Sequence, residues 1–297
     1  MLNYEAISAE RESKKYSSRI VLSFRRHGDK EKLKEGQTDS QIELTSKGRE
    51  QAMAAANPEV NIDQAVAFGS PRIRSQQTAG YEMAGTLDEI TGNESYEELK
   101  TKLKTGLEYG SKLGTDVRLD FPEKSGSPYA KEIKQAFADG YLLKYLVNDS
   151  DRRAVELGDD VSYTYSREAA GLAKILEKYL KIAPQWEQLS KGERAGQTGT
   201  YSDTLERYMG THASVGESFL AKLIEVTKGI EARDRFVAAL GGKNFDVAEG
   251  FTAEIRNNGG AEPTLHIVYK KEDSSGKEPF VFNEEIPLGV IHRIASL

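Results

Sequence analysis

The feature that most constrains the fold is a short apolar run that stops abruptly at a polar cluster. Residues 19–24 read RIVLSF, which is rich in strand-forming side chains, and RRHGD follows at once. A strand that is apolar on both faces is typical of the buried centre of a parallel sheet. The chain therefore predicts a central strand whose carboxyl end carries charged and imidazole side chains.

Helix and strand signals alternate after this run. Thr45 can cap a helix with an Ala-rich continuation that Pro58 closes. Residues 64–70 (QAVAFGS) indicate a second buried strand, and Ser70 with Pro71 is typical of a helix start, with Ser as the cap. The succession of strand, helix, strand and helix indicates a parallel α/β sheet.

The second half of the chain adds further elements. Amphipathic spacing predicts one or two helices within residues 162–189, a strand at 204–211 and a helix from about 215 to 230. The sequence NNGG at 257–260 lies between two alternating runs, which is a strong hairpin signal. We expect a three-layer α/β/α sandwich with a mainly parallel central sheet, a helical insertion and C-terminal antiparallel strands at one edge.

The domain organisation follows from shifts in composition along the chain. Residues 1–18 are polar and without an apolar stripe, so we expect an N-terminal arm there. Residues 19–297 are expected to form a single domain, with an insertion at about 85–160 and a C-terminal β extension at about 244–297.

The charge balance and the absence of cysteine exclude several classes of function. The chain has 41 basic and 47 acidic residues, a formal net charge of −6. Nucleic-acid and membrane-surface proteins normally have an excess of basic residues, so neither partner is expected. Without Cys there is no thiolate nucleophile and no Cys-ligated metal site. No apolar segment is of signal-peptide or membrane-span length, which predicts a soluble cytoplasmic protein; the oligomeric state stays open.

Basic residues follow three of the predicted strands. They are Arg26 and His27 with Gly28 after the first, Arg72 and Arg74 after the second, and His212 after the third. Ligands of open α/β sheets bind outside the carboxyl ends of the strands. Guanidinium groups bind phosphate through two parallel hydrogen bonds, and a Gly lets the backbone approach an anion closely. The pattern predicts a phosphate-binding rim.

The same residues carry a family resemblance. Residues 26–28 read R-H-G, residues 44–52 fit L-T-x-x-G-x-x-Q-A, residues 70–79 fit S-x-x-x-R-x-x-Q-T-A, and His212 is the late strand-end histidine. Four matches in this order are a specific signal. The chain resembles the histidine phosphatase superfamily, branch 1 type, also called the phosphoglycerate-mutase-like fold. The resemblance covers mainly residues 19–83 and 203–225.

The resemblance implies phosphoryl transfer through a phosphohistidine. His27 would attack phosphorus, while Arg26, Arg74 and His212 hold the non-bridging oxygens and Gly28 contributes to binding. Such a cationic cradle needs no metal and no other cofactor. The implied function is a phosphomonoesterase acting on a phosphorylated substrate. The alternatives are a phosphoglycerate-mutase-type phosphotransferase and a non-catalytic module that only binds a phosphorylated ligand.

The leaving oxygen also needs a proton. Ala213 stands directly after His212, where some relatives have an Asp. By resemblance to the mutase branch, the segment VRLDFPEK at 117–124 offers Asp120 and Glu123 as the general acid, with Asp120 favoured.

Several neighbouring residues have simpler explanations. Arg72 is expected in a surface ion pair, and alternation along the strand directs Arg25 away from Arg26. Asp29 either orients Arg26 or caps a turn, and Glu217 is explained by the helix dipole alone. Aromatic residues of the insertion are expected to lie in the core: Phe121, Tyr129, Phe137, Tyr141 and Tyr145.

Overall fold

Seven strands form one sheet in the part of the chain that the computed structural model describes, residues 16–104, 111–260, 262–271 and 279–297. They are β1 (Ser18–Arg26), β2 (Val66–Gly69), β3 (Leu113–Thr115), β4 (Thr204–Thr211), β5 (Gly250–Asn257), β6 (Thr264–Lys271) and β7 (Phe280–Ile286). Their order across the sheet is β3-β2-β4-β1-β5-β6-β7. The first four pair in parallel, and β5, β6 and β7 pair antiparallel. The predicted parallel centre and antiparallel C-terminal strands are confirmed.

Helices cover both faces of this sheet. They are α1 (Ser46–Met53), α2 (Ile73–Ala84), α3 (Tyr96–Lys102), α4 (Pro128–Ala138), α5 (Leu142–Tyr145), α6 (Asp151–Glu156), α7 (Tyr165–Ser190), α8 (Val215–Lys228), α9 (Ile230–Ala239) and α10 (Leu288–Ala295). One core joins α1, α2 and α3 to Ala67 and Tyr208 of the sheet. The other joins α4 to α10 to the opposite face. The predicted three-layer arrangement is therefore confirmed.

The central strand β1 is buried on both faces, as its sequence predicts. Ile20, Leu22 and Phe24 are at most 1% exposed and belong to the larger core. On the other face, Ser23 Oγ and Arg25 Nε donate to Glu82 of α2 at 2.6 and 3.0 Å. Arg25 is thus held in a buried ion pair beneath α2, away from the strand end.

Three local features differ from the predictions. Helix α2 begins at Ile73, because the Ser70 hydroxyl accepts from Arg72 N before the helix and does not cap it. Helix α1 ends at Met53, where the alanines that follow form tighter turns. Strand β3 was missed, since three residues are too short for an alternating pattern, and it extends the sheet beyond β2.

The N-terminal arm predicted at residues 1–18 lies outside the described residues except for its last three, and β1 already begins at Ser18. Within the described ranges, we find no helix whose length and apolar character would let it cross a bilayer.

The loop after β1 is anchored on the first turn of α1. Thr45 Oγ1 accepts from Gly48 N at 3.0 Å and thereby caps the helix, and Thr45 N donates to Asp29 O at 2.9 Å. The backbones are so close that a Cβ on Gly48 would lie 2.0 Å from Asp29 O, and one on Gly28 would lie 2.4 Å from Gly48 O. Only glycine fits at this contact.

We predict that Gly48→Ala destabilises the fold by about 1 to 3 kcal/mol, because the added methyl group overpacks a backbone contact. Gly289→Ala is the matched control, since Gly289 also lies in the first turn of a helix but has open space around it. The control should be neutral or stabilising. Urea unfolding of both variants measures the difference, and equal stabilities would contradict the packing argument.

Candidate active site

Two histidines meet where adjacent parallel strands end. Arg26 of β1 is in register with Thr211 of β4, and His27 N donates to Thr211 O at 3.0 Å. The residues that follow, His27 and His212, consequently lie side by side, with ring centroids 5.2 Å apart. Both are buried, at 8% and 1% exposure.

The His27 ring is held in one tautomer by its own backbone. Its Nδ1 lies 2.8 Å from the carbonyl of Gly28, which can only accept, so Nδ1 carries the proton. The lone pair is then on Nε2. Burial lowers the pKa of His27 to about 3, against the opposing effect of the Gly28 carbonyl and reinforced by the positive charges of Arg74 and Arg26. The imidazole is therefore neutral at physiological pH and can act as a nucleophile.

His212 is fixed by a network that reaches β2 and the insertion. Its Nε2 lies 2.6 Å from Ser70 Oγ and 3.7 Å from Asp120 Oδ1. The ring of Phe121 packs edge-on against it at 4.8 Å between centroids. Burial lowers the pKa of His212 well below its ordinary value, and His27 and Arg74 reinforce this.

Two arginines from the start of α2 converge on Asp39. Arg74 is 2% exposed and donates from Nη1 to Asp39 O at 2.7 Å and from Nη2 to Asp39 Oδ2 at 3.0 Å. Arg72 donates from Nη1 to the same carboxylate and from Nε to Asp120 Oδ1 at 2.8 Å. Arg74, Lys30 and Arg72 hold the pKa of Asp39 at about 2 against the opposing effect of burial. Asp39 is therefore a fixed negative charge within this cationic group.

Three buried nitrogens in the group have no hydrogen-bond partner among the described residues: Arg26 Nε, Arg74 Nε and His212 Nδ1. Each unpaired buried polar group costs about 1–3 kcal/mol. All three residues line one cavity with His27, so guanidinium and imidazole groups face this space, and such groups form strong hydrogen bonds with anions. The arrangement is suited to binding a phosphoryl group.

The cavity has a volume of about 510 Å³. Its lining comes from the strand ends, the loop before α1, the segment after β3, and α4 with the start of α5. The described residues that line it are Arg26, His27, Lys30, Asp39, Arg72, Arg74, Phe121, Glu123, Lys134, Phe137, Leu142, Tyr163, His212 and Ala213.

The structure places the remaining candidate residues as follows. Asp120 lies between Arg72 and His212, and Glu123 lines the cavity but forms a 3.0 Å ion pair with Lys134. Gly28 packs against the backbone of Gly48 and is not among the lining residues.

Three interpretations of neighbouring residues need correction. Arg72 does form ion pairs, as expected, but it lines the cavity with one partner, Asp39, whereas the other, Asp120, is not among the lining residues. Asp29 contacts Gln51 and Lys47, so nothing in its described contacts orients Arg26. Glu217 is completely buried, and its Oε1 accepts from Phe245 N at 2.5 Å. A favourable interaction with the helix dipole does not require burial, so the dipole alone does not explain this position.

Sequence reasoning missed Lys30, Asp39 and Lys134 and assigned Phe121 and Phe137 to the core. Lys30 and Asp39 lie in a polar loop with no periodic pattern, and Lys134 follows the ordinary spacing of a solvated helix face. Phe121 packs on Arg72 and His212, and Phe137 is 53% exposed at the cavity. No signal in the sequence distinguishes these aromatic residues from core residues.

Within the described ranges, no three His, Asp or Glu side chains are grouped so that they could hold a metal ion. The positive charge at this site is supplied by Arg and Lys side chains.

Comparison with known sequences finds a family profile that matches part of the chain. Residues 22–109 match the sequence profile of the Histidine phosphatase superfamily (branch 1). This segment contains the strand end with His27 and the start of α2 with Arg74. No curated protein sequence matches the chain.

Matches among solved structures include a phosphoglycerate mutase from Bacillus anthracis str. Sterne, which is 11% identical with a TM-score of 0.43. The match covers 95% of this chain and 99% of that one. A mycobacterial glucosyl-3-phosphoglycerate phosphatase in complex with inorganic phosphate is 15% identical with a TM-score of 0.40, covering 84% of this chain and 95% of that one.

We predict that the His27 ring stays neutral from pH 8 down to pH 5 in phosphate-free buffer, because its pKa lies at about 3. An unperturbed histidine would titrate near pH 6.5. Imidazole ¹⁵N chemical shifts, assigned with a His27→Gln variant, measure the protonation state and the tautomer. A midpoint above pH 6 would contradict the geometry described for His27.

Proposed function

We propose that this chain, which belongs to the histidine phosphatase superfamily, hydrolyses phosphate monoesters through a phosphohistidine formed on His27. One observation carries the proposal. A neutral imidazole with its lone pair on Nε2 lines the same cavity as the side chains of Arg26, Arg74 and His212. A nucleophile beside fixed donors for an anion is the combination that phosphoryl transfer requires.

The reaction then has two balanced steps. In the first, Nε2 of His27 forms a bond to phosphorus while the bond from phosphorus to the ester oxygen breaks, and that oxygen takes a proton and leaves as the alcohol. In the second, water attacks phosphorus, the bond to Nε2 breaks, and inorganic phosphate leaves. Water gives up one proton in this step, which restores the general acid.

The cradle lowers the barrier by electrostatics. In the transition state, negative charge is spread over the three non-bridging oxygens, and donors that are already in place stabilise it without reorganisation. Arg26 Nη1 is anchored on the carbonyl of Phe245, and Arg74 is anchored on Asp39. Their remaining donors are therefore held in position before the substrate binds.

Asp120 is the proposed general acid. Its Oδ1 lies 3.7 Å from His212 Nε2, which places it next to one of the groups that would hold the phosphoryl oxygens. Glu123, the alternative, pairs with Lys134 on the more exposed side of the cavity. A general acid must reach the leaving oxygen directly or through one water, and Asp120 is nearer to the histidine pair.

We predict that His27→Ala reduces hydrolysis of p-nitrophenyl phosphate by at least about 10⁴-fold, because no other group can take over covalent catalysis. The wild-type enzyme, quenched during turnover with ³²P-labelled substrate, should carry an acid-labile, base-stable phosphoryl group. His292→Ala is the control, since His292 is exposed and pairs only with Glu177 among its described contacts. Activity near wild type in His27→Ala would overturn the mechanism.

The same assay separates the three candidate functions. A binding module would form no phosphoenzyme and release no phosphate. A mutase offered 3-phosphoglycerate would interconvert the phosphate positions much faster than it releases inorganic phosphate. We expect phosphate release without such exchange, and activity that is unchanged by EDTA.

We predict that Asp120→Asn slows hydrolysis of an alkyl phosphate by about 10²-fold or more, the usual contribution of general-acid catalysis. Hydrolysis of p-nitrophenyl phosphate should be much less affected, because nitrophenolate leaves without a proton. Glu123→Gln is the control and should show no such dependence on the leaving group. Equal losses on both substrates in Asp120→Asn would indicate a structural role for Asp120.

A further inference from the structure

We propose that the substrate is a small monophosphate ester whose leaving group is uncharged and has an aromatic or similarly flat apolar face. This inference rests on the proposed phosphomonoesterase function and deepens it. It depends on the two unlike halves of the cavity: the cationic cradle at the strand ends, and an apolar wall formed by Phe121, Phe137, Leu142 and Tyr163.

The wall is preformed at its inner end. The guanidinium of Arg72 lies 4.0 Å from the ring centroid of Phe121 and occupies one face of the ring. The edges of Tyr163 and His212 contact the same ring, at centroid distances of 5.7 and 4.8 Å. Since His212 belongs to the cradle, Phe121 marks the boundary where a bound phosphoryl group would end and the leaving group would begin.

The outer end of the wall is an exposed aromatic side chain. Phe137, on α4, is 53% exposed although it is a large hydrophobic residue, and it lines the cavity. Lys134, one turn earlier on the same helix, lines the cavity with it. A ligand that covers Phe137 would remove apolar surface from water, which favours binding. Leu142 and Tyr163 are already buried, so a ligand would remove more apolar surface from water at Phe137 than at either of them.

Most of the cations that line the cavity are already paired with carboxyl groups. Two carboxylates line the cavity, Asp39 and Glu123. Five cationic side chains line it as well: Arg26, Lys30, Arg72, Arg74 and Lys134. Asp120 is a third carboxylate, paired with Arg72. A carboxylate or second phosphate on the leaving group would meet cations that are already paired.

The size of the cavity agrees with a small molecule. A volume of about 510 Å³ lies within the roughly 300–1,000 Å³ typical of small-ligand sites. It can hold a phosphoryl group and a substituent the size of one or two rings.

The first experiment measures binding without turnover. Calorimetry on the wild-type protein compares three non-hydrolysable phosphonates: benzylphosphonate, methylphosphonate and phosphonoacetate. We expect benzylphosphonate to bind about tenfold more tightly than methylphosphonate, because only it covers the wall. Phosphonoacetate, with its additional carboxylate, should bind no more tightly than methylphosphonate. Equal affinities, or tightest binding of phosphonoacetate, would overturn the inference.

The second experiment assigns the preference to the wall. Phe137→Ala should reduce the affinity for benzylphosphonate by about five- to tenfold and leave that for methylphosphonate unchanged. Tyr141→Ala is the matched control, because Tyr141 is an exposed aromatic residue (41%) just after the same helix but is not among the lining residues. A loss with both phosphonates in Phe137→Ala, or the same loss in Tyr141→Ala, would contradict the assignment.

Turnover separates this inference from the proposed function. Benzyl phosphate and glycerol 1-phosphate both release alkyl alcohols, so a difference in kcat/KM reports mainly recognition of the leaving group. A preference of about tenfold for benzyl phosphate, lost in Phe137→Ala, would support the inference. If neither ester is hydrolysed, the proposed function fails while the phosphonate affinities still decide the inference. A phosphotyrosyl peptide bound more tightly than N-acetylphosphotyrosine amide would overturn the assignment to a small molecule.

Discussion

The parallel pairing of β1 with β4 is the constraint on which the site depends. Its register places Arg26 opposite Thr211, so the first residue beyond each strand is a histidine. Successive side chains of a strand point to opposite faces, so a slip of one residue would separate the two rings. One face of β1 packs in the larger core and the other binds Glu82 through Ser23 and Arg25, so burial of both faces fixes the register. The geometry of the histidine pair is thus a consequence of packing far from the cavity.

The site also has to keep an imidazole neutral beside several cations. Burial alone disfavours the imidazolium form of His27, and the nearby arginines disfavour it further. The arginines in turn are stabilised by carboxylates: Asp39 contacts both Arg72 and Arg74, and Asp120 contacts Arg72. These carboxylates offset the repulsion between cations, and none of their described contacts is with the His27 ring.

The sequence predicts those parts of the site that follow regular elements. The buried character of β1 could be predicted from its apolar run. The polar residues that follow β1, β2 and β4 could be predicted to lie together, because the ends of parallel strands converge by topology alone. Lys30 and Asp39 were not, since they lie in a loop whose path depends on the contact between Gly48 and Asp29. Phe137 was assigned to the core because helical spacing shows which residues share a face but not whether another element covers that face.

The contact between Asp39 and Arg74 explains how the cradle can be rigid and still available to a ligand. Asp39 uses the terminal nitrogens of Arg74, through its backbone carbonyl and its carboxylate, and leaves Nε unpaired. A guanidinium presents donors along more than one edge, so one edge can be anchored while another binds an anion. The side-chain entropy of Arg74 is then lost during folding, and binding of a ligand does not require a second loss. The same carboxylate that partly neutralises the cationic group therefore also fixes the position of its most buried arginine.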